Sequence, residues 1–266
     1  MIDAHVHAWQ IDRPDCDWPG ADLPALHRDF TLDQWRGQSG GARAILVQTQ
    51  TCESDTMWLL AQAGGDVAGV IGWTDLAADD APAAIDRLRA AGPLLGIRPM
   101  VQGLAADWYD DPALDRGIAR LAERGLVLEA LIQPRHLPSL ARLAVRHPTL
   151  KIVIDHAAKP AVGRDLDTWT IAMRALAAHP QVACKLSGLF TEIVDGAEDA
   201  VLPYIQALLA MFGPDRLIWG SDWPVVTLRN SYAAWLGLAR EAVPAGQHEA
   251  VFGGNAIRIY GLGPNA

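Results

Sequence analysis

Eight short apolar runs, each rich in Val, Ile or Leu, constrain this chain more than any other feature. They are Ile2–His7, Ala42–Thr49, Val67–Asp75, Leu94–Val101, Leu126–Gln133, Leu150–Ala157, Val182–Gly188 and Leu217–Pro224, with starts 24 to 40 residues apart. Nearly all the gaps carry helical patterns. Asp111-Pro112 opens one with proline at the first helical position and Gly125 closes it; Ser54–Gly64 and Ala197–Gly213 read the same way. Continuous apolar strands alternating with amphipathic helices form a parallel sheet covered by helices, because such strands are buried on both faces. Eight units predict an α/β fold closed into a (β/α)8 TIM barrel. An open doubly wound sheet is the alternative, but no G-x-G-x-x-G or G-x-x-x-x-G-K follows the first strand to mark a nucleotide site. The 266 residues match the roughly 250 of one barrel. No linker or composition shift divides them, so residues 1–266 are read as a single domain.

Charge narrows the partners. With 22 Lys+Arg against 31 Asp+Glu, a net of −9, nucleic acid and membrane surfaces are disfavoured, since phosphate binding needs basic patches. The start, Met1-Ile2-Asp3-Ala4-His5, lacks the basic and apolar stretches of a signal peptide, and no run approaches the ~18 apolar residues of a membrane span. Cys16, Cys52 and Cys184 are odd in number and scattered, which suggests a reducing cytoplasm without a disulfide framework. A small-molecule substrate is expected, and a homo-oligomer is left open. The segment from Trp9 to Phe30, with three prolines, a glycine and several aspartates, follows the first strand. It would lie over the catalytic face as a substrate loop, or be merely a long surface loop.

The chemistry starts at His5-Val6-His7. Alternation along a strand points both imidazoles the same way, so they can chelate one metal ion or orient a substrate. Asp222 ends the eighth run, Leu217-Ile218-Trp219-Gly220-Ser221-Asp222-Trp223-Pro224. In a closed barrel that strand neighbours the first, so Asp222 can join the histidines, bind metal or take a proton from water. His156 ends the sixth run. Lys185, Arg98 and Glu129 interrupt the seventh, fourth and fifth, and buried charges must be paired or serve a ligand. Arg98 and Glu129, on adjacent strands, suit a structural ion pair or substrate binding. Lys185, with no neighbour-strand partner in view, is the better candidate for holding a substrate oxygen. Gln48 and Gln133 at strand ends are either substrate ligands or local hydrogen-bonders. Ten tryptophans stand against four Phe and four Tyr. Trp9, Trp73 and Trp223 fall just after strands, where indoles could stack on a sugar-like ring or simply pack the core.

Taken in order, His5-x-His7, Gly96-Ile97-Arg98, Leu131-Ile132-Gln133-Pro134-Arg135-His136-Leu137-Pro138, Asp155-His156-Ala157-Ala158-Lys159-Pro160, Lys185-Leu186-Ser187-Gly188-Leu189, Gly213-Pro214-Asp215-Arg216-Leu217, Trp219-Gly220-Ser221-Asp222-Trp223-Pro224 and Phe252-Gly253-Gly254-Asn255-Ala256-Ile257-Arg258-Ile259-Tyr260 span the whole chain. This set resembles the amidohydrolase-2 branch of the amidohydrolase superfamily, and within it the sugar-lactone hydrolases. The resemblance implies an amidohydrolase-type barrel that opens an aldonolactone, such as L-fuconolactone or L-rhamnonolactone, in sugar catabolism. It implies Asp222, His156, His5 and His7 as catalytic residues, and His5, His7 and Asp222 as ligands of one divalent ion, zinc, or no metal at all. Lys185, Arg98, Gln48, Trp73, Gln133 and Trp223 would contact substrate. The bridging lysine or glutamate at the fourth strand and the histidine at the fifth, where Gln133 stands, are absent, which argues against two metals. A hydrolase of a carboxylated muconolactone or pyrone, a metal-dependent decarboxylase of an aromatic acid, and a non-catalytic sugar-acid-binding barrel are the rival readings.

Overall fold

In the computed structural model, which describes residues 1–263, eight parallel strands follow one another in chain order around one sheet. They are β1 (Ile2–Val6), β2 (Arg43–Val47), β3 (Val67–Gly72), β4 (Leu94–Ile97), β5 (Val127–Ala130), β6 (Lys151–Ile154), β7 (Val182–Leu186) and β8 (Leu217–Trp219). Every strand lies inside one of the apolar runs and is shorter than it. Most of the surplus residues leave the ladder at the C-terminal end, and several stay buried there, among them His7, Arg98, His156 and Asp222. Because β8 is only 3 residues long, closure falls to the segment beyond it. The Asp222 N–H donates to the His5 carbonyl (2.9 Å) and the His7 N–H to the Trp223 carbonyl (2.8 Å), making a parallel bridge between Val6 and Trp223.

Helices α1 (Leu32–Ser39), α2 (Glu53–Leu60), α3 (Ala81–Ala91), α4 (Asp115–Arg124), α5 (Leu137–Arg146), α6 (Leu166–Ala177), α7 (Leu202–Phe212) and α8 (Tyr232–Ala242) follow the eight strands. Their apolar stripes and the outward strand residues form one large cluster, among them Leu46, Leu121, Leu143 and Ile205. As expected, Gly125 ends α4 in the left-handed conformation, at φ 66°.

The barrel interior is stacked in layers. Ile2, Ala4, Ile45, Val47, Ile71, Val127, Val153, Ala183 and Ile218 fill its lower part, and α9 (Asn255–Tyr260) plugs the floor with Ala256, Ile259 and Tyr260. Asn255 secures the plug by donating to the carbonyls of Pro214 (2.6 Å) and Leu217 (2.7 Å). Above the apolar layers lies a charged one, and above that the mouth. Among the described residues, no helix is long and apolar enough to cross a membrane.

Candidate active site

The site begins with an irregularity in β1. Its pairing with β2 slips between Asp3 and Val6, so two β1 residues oppose one. Such a bulge re-aims the side chains that follow it. Ala4 still packs in the interior, and His5 and His7 also turn inward. Asp3 points the other way and accepts hydrogen bonds from the Ser221 N–H (2.7 Å) and the Trp35 indole (3.1 Å). Burial nevertheless pushes its carboxyl up to about 6. Gly220 lets the eighth strand come this close: a Cβ there would sit 2.6 Å from His5 Cβ.

The sixth strand ends in an unusual turn. His156, Ala157, Ala158 and Lys159 all have positive φ, between 50° and 61°, although none is glycine. Each such residue costs roughly 1–2 kcal/mol. The turn swings the His156 ring against Ser187, whose Oγ lies 2.9 Å from Nδ1. The Trp169 indole holds the turn by donating to the Ala157 carbonyl (2.7 Å).

These elements converge on one carboxylate oxygen. Asp222 Oδ1 lies 3.4 Å from His7 Nε2, 3.7 Å from His5 Nε2 and 3.8 Å from His156 Nε2. His7 Nδ1 is 2.7 Å from the Val47 carbonyl, and its Nε2 faces Asp222. Burial opposes ionisation of Asp222, but His156, a hydrogen bond from His7 and more distant Lys159 win, holding the carboxyl below its ordinary range. Burial acts oppositely on His156, lowering it to about 4 against the pull of Asp222 and Asp155, and it keeps His5 neutral, with Lys185 adding to the effect. The mouth therefore presents an ionised carboxylate beside the neutral imidazoles of His5 and His156 at pH 7.

Beneath it lies the charged layer. Lys185, fully buried, donates to Glu129 (2.6 Å) and lies 3.0 Å from His5 Nδ1 and 3.3 Å from Asp155. The Tyr260 hydroxyl donates to the other Glu129 oxygen (2.6 Å). Arg98 pairs with Asp155 (3.4 Å) and donates to the Gln48 carbonyl and side chain, and the Gln48 amide returns a bond to the Arg98 carbonyl (2.8 Å).

A cavity of about 140 Å³ opens above, bordered by His7, Arg98, His156 and Asp222, with Trp18, Thr49, Met100, Gln102, Leu131, Lys159 and Val225 as its walls. So the structure brings His5, His7, His156, Asp222 and Arg98 together, with His5 under the cavity rather than in its wall. It corrects several expectations. Lys185 does have partners and is sealed off from the cavity, and Arg98 pairs with Asp155 rather than Glu129. Long inward side chains in a barrel reach past one intervening strand, so their partners are not confined to adjacent strands. Gln48 positions Arg98 and does not face the cavity. Gln133 turns away to accept from Arg135 and to cap the turn before α5 with His136. The Trp73 backbone N–H donates to the Thr56 hydroxyl (2.7 Å), and Trp73 does not border the cavity. Trp223 and Trp9 pack against Phe30, with ring centroids 5.5 and 5.1 Å from it. The indole that does reach the cavity is Trp18, which nothing local distinguishes from the other nine. Asp155 had a signal, as an acid closing an apolar run, and Lys159 lay in a motif already noted.

The donors suit a metal ion. His5 Nε2, His7 Nε2 and Asp222 Oδ1 lie within 4.8 Å of one another, and imidazole and carboxylate are ordinary zinc donors; the Val47 carbonyl behind His7 is the kind of outer partner that orients such a ligand. His5, Asp155 and His156 make a second grouping of that size.

A (β/α)8 barrel with a buried His/Asp centre at the C-terminal mouth, a carboxylate poised beside water-accessible space and a guanidinium in the same cavity, is an enzyme of the water-activating hydrolase class. The family model described as amidohydrolase matches residues 2–262, and the chain belongs to that family. It is 45% identical to an L-fucono-1,5-lactonase of Burkholderia ambifaria, over 97% of this chain and 94% of the relative, and 36% identical to one of Burkholderia multivorans, over 98% and 96%. A solved amidohydrolase structure from Burkholderia multivorans, with bound zinc, superposes with a TM-score of 0.89 at 35% identity, covering 98% of this chain and 99% of that one.

Proposed function

We propose that this barrel hydrolyses an aldonolactone, of the L-fuconolactone or L-rhamnonolactone type, to its aldonic acid. The observation that carries the reading is the meeting of an ionised Asp222, the His7 ring, a neutral His156 and the Arg98 guanidinium on one small cavity. A lactone needs those groups in that order: a base for water, donors for the carbonyl oxygen, and a proton for the ring oxygen as it leaves. The names of the 45% and 36% identical relatives support the substrate class.

Water held against Asp222 gives that carboxylate a proton as its oxygen attacks the carbonyl carbon. Negative charge grows on the carbonyl oxygen, where Arg98 lies ready to offset it. The bond from carbon to ring oxygen then breaks, and the proton passes from Asp222 to that oxygen. The aldonate produced carries one negative charge, and Arg98 and Lys159 border the cavity to meet it. His5, His7 and Asp222 would hold a single zinc ion, whose contribution is to polarise the carbonyl or water.

The test is a panel of aldonolactones in weak buffer with a pH indicator, run with and without chelator. Acid release restricted to one stereochemical group is expected. No release from any sugar lactone by folded protein refutes the reading, and the chelator lane reports the metal.

A further inference from the structure

We propose that Trp18 is a substrate-contacting residue and that the buried amide of Gln50 is the positioning residue holding it at the cavity. The proposal rests on the lactonase reading and supplies the platform on which the sugar ring lies.

Residues 9–30 run between β1 and α1. Their ends are tied to each other: Trp9 and Phe30 exchange both backbone hydrogen bonds (3.0 Å each), and the Trp9 indole donates to the Arg28 carbonyl (2.8 Å). Those ties do not reach Asp17 and Trp18, although His27 Nδ1 lies 2.9 Å from the next carbonyl, that of Pro19. Gln50 supplies their support from the turn after β2. Its Oε1 accepts from the N–H groups of Asp17 (2.9 Å) and Trp18 (3.1 Å), and its Nε2 donates to the Trp18 carbonyl (2.6 Å) and to Thr49 Oγ1 (2.9 Å). One side chain thus satisfies both backbone polar groups of Trp18, as a strand neighbour would. Gln50 is 4% exposed, and both lone pairs and both protons of its amide are used. A second clamp holds the same turn and the same segment: Asp55 accepts from the Thr49 and Gln50 N–H groups (3.2 and 3.4 Å) and from Arg13 (3.0 Å).

What this support delivers is an indole. Trp18 rests edge-on against Trp9, with centroids 5.2 Å apart at 69°, and borders the cavity beside His7 and Asp222. A sugar lactone has a C–H-lined face and a hydroxyl-lined edge. The indole matches the first, and Gln102 and Lys159, on other walls of the cavity, match the second.

The experiment is steady-state kinetics of wild type, Trp18→Ala, Trp18→Phe, Gln50→Leu and the Gln50→Leu/Trp18→Ala double variant on the lactone the panel identifies, with folding checked by circular dichroism. Trp18→Ala should raise KM about 10-fold or more while kcat falls much less, because the contact binds ground and transition states alike. Trp18→Phe should recover part of the loss. Gln50→Leu should raise KM too, but add nothing once Trp18 is alanine, since its effect runs through the indole. A KM unchanged in Trp18→Ala, or a Gln50→Leu effect of equal size in both backgrounds, overturns the proposal. If no lactone turns over, the lactonase reading falls separately. Indole emission titrated with aldonate, in wild type against Trp18→Phe, then decides: a change confined to wild type supports the Trp18 contact, and identical titrations overturn it.

Discussion

Replacing Lys185 with methionine separates two views of the charged layer. On the sequence reading Lys185 holds a substrate oxygen, so its loss should raise KM. On the structure it is fully buried below the cavity and neutralises Glu129 at 2.6 Å while reaching Asp155 at 3.3 Å and His5 at 3.0 Å. Methionine fills the volume but leaves Glu129 with the Tyr260 hydroxyl alone. Breaking a buried ion pair from one side costs about 3–5 kcal/mol. Burial already pushes the Glu129 carboxyl upward, chiefly against the pull of Lys185. The orphaned acid can therefore take up a proton, which places the expected loss at about 3 kcal/mol, the lower end of that range. In a chain of this size each kcal/mol moves Tm by about 2–4 °C, so calorimetry should show a fall of about 6–12 °C. Adding Glu129→Gln should restore part of that fall, because it removes the uncompensated charge. KM of the folded single variant should stay within about 2-fold of wild type, the signature of a residue outside the binding site. A loss below about 1 kcal/mol, well short of what a broken buried pair costs, would refute the reasoning. So would a double variant no more stable than the single one, or a large KM effect without destabilisation.

Asp222→Asn keeps shape and tolerates the φ of 59° at this position, so it should fold normally while kcat drops by about 10²–10⁴-fold; a near-wild-type rate in the lactone assay would remove Asp222 from the reaction. His156 should set an acid limb, with kcat/KM level near neutrality and falling as pH drops through about 4, where the ring takes a proton. The unfolded chain binds that proton first, near pH 6.5. The contribution of His156 to stability is therefore complete above 6.5 and lost as pH falls toward 4, a change of about 3 kcal/mol. Urea titrations of wild type and His156→Gln across that window should diverge by this amount, and parallel curves would contradict it. Gly188→Ala places a methyl 2.4 Å from His156 Nδ1 at a φ of 64°, and should cost both stability and kcat; an unaffected enzyme would show that the turn can shift freely.

What the sequence disclosed depended on how local the cause was. The strands were legible because each is buried on both faces, so Val153-Ile154 or Val182-Ala183 reads as a continuous apolar stretch. His5, His7 and Asp222 were legible because alternation and closure of eight units are simple geometry. The Lys185–Glu129 pair was not. Its partners stand on β5 and β7, with β6 between them and 56 residues apart, and no periodicity records that approach. Trp18 was hidden for a related reason: its place at the cavity is set by Gln50, 32 residues away. Gln50 itself sits two residues beyond Gln48, which drew attention only because it ends the strand.

The least legible feature is the one the chemistry depends on most. Among the described residues, every non-glycine with positive φ lies at the site: His156, Ala157, Ala158, Lys159 and Asp222. No Gly or Asn marks the turn after β6, so nothing in Asp155-His156-Ala157-Ala158-Lys159 announces left-handed backbone. The fold holds it from outside, through the Trp169 bond to Ala157, the contact of Ser187 with His156 and the Lys159–Glu192 ion pair at 2.7 Å. A relaxed extended exit from β6 would spare roughly 1–2 kcal/mol per residue. It would also carry His156 away from Asp222 and Lys159 away from the cavity. Strain of this kind persists only where surrounding contacts overdetermine it, and here those contacts come from α6, the β7 exit and the turn that follows. The barrel has spent stability on orienting one imidazole toward the carboxylate and one lysine toward the cavity. That is why substitutions at Gly188 or Trp169, which touch no substrate, should lower kcat along with stability.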